Sequence, residues 1–130
     1  MIISPKGEQH TFGAQMISRQ FRRLGASAYL SINNSTSEIK KIVAKHRFRL
    51  VGLSLSNYKL CEEHDEVKSI IAIIKTLKIP IIAGGSLINS HINIVKSLNV
   101  DMITDDAVQA LQFFNINPSK AQEITELVTT

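Results

Sequence analysis

The chain has 130 residues, 44% of them hydrophobic and 20% charged, with one cysteine and a formal net charge of +4. That length suits one domain able to bury a core, the lone Cys61 excludes an internal disulfide or a cysteine-based zinc site and fits a reducing, cytoplasmic compartment, and no apolar run approaches the ~20 residues of a membrane span. The basic residues are spread from Lys6 to Lys120, and their densest group, Arg19, Arg22 and Arg23, falls at an expected helix end, so nucleic acid is not an expected partner.

Met1 to Ser4 predicts a first strand. Thr11 to Leu24 predicts a helix with Phe12, Met16, Ile17, Phe21 and Leu24 as its apolar side, stopped by Gly25. Ala26 to Ile32 reads as a second strand. Ser35 or Ser37 then caps a helix in which Ile39, Ile42, Val43 and His46 recur at helical spacing. Leu50 to Ser56 predicts a third strand, apolar on both faces as in a sheet covered by helices on each side. Glu62 to Leu77 predicts the longest helix, with an acidic first turn and Val67, Ile70, Ile71, Ile74 and Leu77 as its stripe. Ile79 to Ala83 is a fourth strand running into Gly84-Gly85, Ser86 to Leu98 a fourth helix and Val100 to Thr104 a fifth strand. Asp105 is expected to cap a last helix ending near Phe114, and a tail over 116–130 adds one short helix or frays.

Strict alternation of strand and helix with short connections predicts an α/β fold over residues 1–115. Its form is a doubly wound five-stranded parallel sheet, flavodoxin-like (Rossmann-like), of order 2-1-3-4-5. Ligands of such sheets bind beyond the carboxyl ends of the strands, at the switch point between strands one and three. Three segments meet that edge: Glu8-Gln9-His10-Thr11-Phe12-Gly13, Ser54-Leu55-Ser56 and Gly84-Gly85-Ser86. They do not form a phosphate-binding P-loop, since Lys6-Gly7 lacks the Gly-Lys-Ser/Thr ending. Gly7 and Gly13 are not spaced as a dinucleotide fingerprint. A receiver domain would need an Asp ending strand three and a Lys ending strand five, where Ser56-Asn57 and Thr104-Asp105 stand.

A histidine on a glycine-flanked loop at a sheet edge can instead ligate a metal held in a flat macrocycle. A carboxylate two residues away can take the other imidazole N–H and fix the tautomer. Gly84 and Gly85 would let a ligand chain lie against the backbone, and Ser54 could hydrogen-bond a heterocycle at its tip.

At these residues the chain resembles the cobalamin-binding domain family, whose mark is Asp-x-His-x-x-Gly, then Ser-x-Leu, then Gly-Gly after strands one, three and four. The likeness runs from Ile2 to about Leu111. It implies that His10 is the lower axial cobalt ligand in place of the cofactor's own benzimidazole, the base-off state. It also implies that Gly13 opens the helix beside the displaced nucleotide tail, that Ser54 meets the benzimidazole, and that Gly84 and Gly85 line the tail channel. Glu8 departs from the family's Asp by one methylene, and Ser56 replaces its Leu. The stretch GEQHTFGAQMISRQFRRLG resembles the regulatory branch, the tetrapyrrole-sensing modules of bacterial light- and redox-responsive regulators, some of which are thought to hold haem.

The resemblance therefore implies a cobalamin-binding sensor module in signal transduction or transcription regulation, photoreceptors included, working with other domains or a regulator protein. The alternatives are the cobalamin-carrying domain of a methyltransferase or mutase, and a haem-binding or cofactor-free interaction module. No catalytic residue is evident, and no helical cap precedes His10, so a non-enzymatic role is the expectation. The other histidines read more plainly. His46 ends a helix, His64 sits in a solvated acidic turn, and His91 is a surface residue near the same edge.

Overall fold

The computed structural model describes residues 1–62 and 65–117. In chain order the elements are β1 (Ile2–Pro5), α1 (Phe12–Arg23), β2 (Leu30–Asn34), α2 (Thr36–Lys45), β3 (Val51–Ser54), α3 (Lys59–Glu62), α4 (Glu66–Thr76), β4 (Ile81–Gly84), α5 (Leu87–Ser90), α6 (Ile92–Ser97), β5 (Met102–Ile103) and α7 (Ala107–Phe113). All strand pairs are parallel, and the order is β2-β1-β3-β4-β5, as the alternation of elements predicts. Residue 64 and the tail from Pro118 onward lie outside the described residues, so the expected acidic-turn role of His64 and the expected tail helix are not addressed.

Period-2 alternation along the strands builds two cores. Ile3, Val51, Leu53, Leu55, Ile81 and Ala83 face one side, where they meet Ile39 and Val43 of α2, Val67, Ile70 and Ile74 of α4, and Leu87 and Val95. Ile2 and Ile82 face the other side, against Ala14 and Phe21 of α1 and Ala107, Ala110 and Leu111 of α7. Ile116, at the start of the expected tail, is buried in this second core.

The helix ends follow their local chemistry. Ser35 caps α2 through a full capping box with Glu38, which also holds the Glu38 carboxyl below its ordinary pKa. Helix α1 closes in a Schellman motif: Ala26 N–H donates to Phe21 C=O at 3.0 Å, Gly25 N–H to Arg22 C=O at 3.0 Å, and Gly25 has φ +94°. The same closure recurs after α4 at Lys78 (φ +58°) and after α7 at Asn115 (φ +55°), without a glycine.

Four expectations change. The second strand begins at Leu30, because the Schellman turn takes up Gly25 and Ala26. The helix expected over 62–77 is α4, entered through a separate turn, α3. The helix expected over 86–98 breaks at His91, whose φ of −140° and ψ of 55° are not helical. Finally, the apolar side of α1 is split. Ala14, Ser18 and Phe21 face the sheet, whereas Phe12 and Met16 are exposed, at 70% and 42%.

Candidate functional site

Strand β1 ends at Pro5 and turns at once. The Glu8 N–H donates to Pro5 C=O at 3.0 Å across Lys6-Gly7, and Gly7 supplies the positive φ, +91°, that this turn requires. The turn sends the Glu8 side chain inward, leaving it 7% exposed. Its Oε2 accepts the backbone N–H groups of Ser56 at 3.0 Å and Asn57 at 3.2 Å, and its Oε1 accepts the Ser56 hydroxyl and the backbone N–H of His10 at 3.2 Å. A buried carboxylate needs this many donors to offset its desolvation.

Glu8 therefore does not hold the imidazole of His10, as its spacing implied. It holds the His10 backbone and clamps the β1–α1 loop to the end of β3. The longer glutamate side chain reaches across the edge to Ser56, and Ser56 serves that clamp and does not line the groove described below. Gln9 and His10 are exposed on the loop. Thr11 occupies the N-cap position of α1 but gives the helix no side-chain cap.

Beneath this loop a narrow groove runs between α1 and the sheet, with room for about 10 Å³ of water-sized space. Its origin is legible in the strand alternation. Val51, Leu53 and Leu55 point to the α2–α4 side, which leaves Gly52 and Ser54 on the α1 side. Strand β4 does the same with Ile82 and Gly84. The third strand is therefore large on one face and small on the other, not apolar on both. Leu55 is a core residue, 1% exposed, and stands outside the groove.

Gly13 and Ile17 of α1 roof this space, and a second stretch continues past Gly13 to Gly85 and Ser86. A Cβ on Gly13 would lie 3.2 Å from Ser54 Oγ, so the absence of a side chain at Gly13 is what keeps roof and floor apart at that pair. Ser54 is 7% exposed, and its hydroxyl borders the groove; the fully buried hydroxyls without a partner among the described residues are those of Ser4 and Ser18.

The glycine pair has a separate reason to be glycine. A Cβ on Gly84 would overlap the Asp105 carboxylate and come within 2.7 Å of Thr104 C=O. Gly85 has φ +99°, and a Cβ there would overlap the Leu55 carbonyl. These contacts draw the ends of β3, β4 and β5 together: Leu55 N–H donates to Gly84 C=O at 2.9 Å, and Leu87 N–H to Leu55 C=O at 3.1 Å.

The residues that sequence reasoning missed are Gly52, Thr104 and Asp105. Gly52 was visible as the one glycine inside the third strand. Asp105 was expected to cap the last helix. Asp106 does so instead, accepting the N–H groups of Val108 at 2.9 Å and Gln109 at 3.2 Å. Asp105 Oδ1 accepts Gly85 N–H at 2.7 Å. At the same edge the rings of Tyr58 and His91 stack at 4.8 Å, joining the loop after β3 to the break between α5 and α6. Among the described residues no three His, Cys, Asp or Glu side chains gather as a metal site of their own.

Sheet order, parallel pairing and the groove at the switch point define an α/β domain of the flavodoxin-like class. No protein-family model matches the chain. It is 23% identical over 122 residues to an uncharacterised 20.5 kDa protein encoded in the bchF–crtJ intergenic region of Rhodobacter capsulatus, with 89% of this chain and 60% of that protein covered. Among solved structures it is similar to a novel cobalamin-binding protein from Desulfitobacterium hafniense, at a TM-score of 0.70 and 17% identity, over 88% of this chain and 56% of that one. The chain thus spans about three fifths of the length of either protein. At 17% identity the likeness establishes the fold. No described helix is long and apolar enough to cross a membrane.

Proposed function

We propose that the chain binds a corrinoid, cobalamin, base-off, with His10 as the lower axial ligand of cobalt. One observation carries the reading: Gly13, Gly52, Ser54 and Gly84 leave a groove between α1 and the sheet, open to the edge that carries the exposed imidazole. The residues fit the group. Gly13 is a cradle that a Cβ would narrow, and the Ser54 hydroxyl borders the groove beneath it, suited to a heterocycle nitrogen. His10 would hold the cobalt, Ser54 the benzimidazole, and Gly13, Gly84, Gly85 and Ser86 would border the tail. Glu8 would fix the loop from which His10 projects. The cofactor would supply a cobalt centre whose axial ligation responds to light and redox state. The described fold of the cobalamin-binding protein from Desulfitobacterium hafniense supports the same reading.

The role is that of a sensor or regulatory module, not an enzyme. At the site's edge α1 exposes Phe12 and Met16, the latter bordering the second stretch of the groove, a surface suited to reporting occupancy to another domain or a regulator protein. The free, buried Cys61 suits the cytoplasm. The test is a titration of the purified chain with hydroxocobalamin and, separately, with haemin. Saturable one-to-one binding of hydroxocobalamin supports the reading, and binding of haemin alone, or of neither, overturns it.

A further inference from the structure

The lining of the groove is uneven in charge, which adds a residue to the site; the inference rests on the corrinoid reading above. Along both stretches of the groove a single charged side chain borders the space, that of Asp105. Its place is built by the fold. Oδ1 accepts Gly85 N–H at 2.7 Å, and the carboxylate fits only because Gly84 has no Cβ. Asp105 is exposed at the groove's mouth, and its Oδ2 makes no hydrogen bond among the described residues and is open to solvent or a ligand. The other polar side chains there, Ser54, Thr104, Gln20, Ser86 and Asn89, are neutral. A groove holding a carboxylate and no cation favours a ligand segment with O–H or N–H donors and disfavours a phosphate beside it.

The nucleotide tail of cobalamin carries both kinds of group, ribose hydroxyls and a phosphodiester. We propose that Asp105 is a specificity-determining residue of this groove: it accepts a hydrogen bond from a sugar hydroxyl of the tail and keeps the phosphodiester off the β5 side. Asp105 thereby makes the site select a complete corrinoid over one that lacks the nucleotide.

The experiment compares hydroxocobalamin with diaquocobinamide, which lacks the nucleotide, on the wild-type chain and on Asp105→Asn. The asparagine keeps an oxygen for Gly85 N–H and replaces the other oxygen by a donor. The wild type is expected to bind hydroxocobalamin about tenfold or more tighter than diaquocobinamide, the worth of a hydrogen bond to a charged group. Asp105→Asn is expected to keep the diaquocobinamide affinity and to lower that preference several-fold, the other contacts to the tail remaining. An unchanged preference in the variant, or equal affinity of the wild type for both, overturns the role of Asp105 while leaving the corrinoid reading standing. Loss of diaquocobinamide binding in the variant makes Asp105 a structural residue and overturns its specificity role. Binding of neither corrinoid by the wild type overturns the corrinoid reading itself.

Discussion

Glu8 and Ser56 are 48 positions apart, yet the Glu8 carboxylate receives both the Ser56 amide, at 3.0 Å, and the Ser56 hydroxyl. The pair joins the loop carrying His10 to the end of the central strand. Removing the carboxylate leaves the amides of His10, Ser56 and Asn57 without an acceptor. Glu8→Ala is therefore expected to destabilise the fold by about 3 kcal/mol, and Glu8→Gln by nearly as much, because its amide NH₂ must face donors. Urea unfolding measures this, and amide exchange at Ser56 and Asn57 localises it. A loss below about 0.5 kcal/mol would mean that the clamp contributes little.

The split between stability and binding is sharpest at Gly13. Alanine there places a Cβ 3.2 Å from Ser54 Oγ, which can rotate away, and it favours the helix. Gly13→Ala is expected to stay within about 0.5 kcal/mol of wild-type stability while weakening hydroxocobalamin about tenfold by closing the groove. Equal affinity in the two proteins would show that the ligand does not use this groove.

Gly85 is expected to behave in the opposite way. Its positive φ and the Leu55 carbonyl leave no room for a side chain. Gly85→Ala should destabilise the apo chain by roughly 3 kcal/mol, measured by thermal or urea unfolding. A near-neutral result would contradict the close approach of the β3 and β4 ends.

The architecture was legible because it depends on coarse features. Apolar strands alternating with amphipathic helices fix a parallel sheet, and right-handed crossovers leave few orders for it. The site was legible in part. His10, Gly13, Ser54 and Gly84 could be placed at one edge from the topology alone. The partner of Glu8 could not, because spacing of two residues says nothing about the direction a turn gives a side chain, and Gly7 turned this one inward. The exposure of Phe12 and Met16 was missed for a related reason. The apolar residues of α1 divide between two faces, and small Ala14 and Ser18 take the close approach to the sheet. Asp105 and Asp106 are both plausible caps in sequence, and only the approach of Gly85 decides between them.

Cys61 gives a prediction in pH. Burial, with a smaller contribution from the nearby Glu8 carboxylate, pushes its thiol up to about 11 from an ordinary value of 9.0. The folded chain thus keeps a proton that the unfolded chain releases as pH rises past 9.0, so stability declines from about pH 9 to about pH 11 and is unaffected by this group below that window. At pH 8 native Cys61 should resist alkylation and react once the chain is unfolded in urea. Rapid labelling of the native protein would contradict the burial.

The central claim is that the nitrogen on cobalt comes from His10. Its most direct test is electron paramagnetic resonance of the cob(II)alamin-loaded chain, prepared with ordinary and with ¹⁵N-labelled histidine. The account predicts that the nitrogen superhyperfine triplet of the ordinary protein becomes a doublet in the labelled one, and that His10→Ala abolishes the labelled signal. A triplet that persists in the labelled protein would place the cofactor's own benzimidazole on the metal and contradict it.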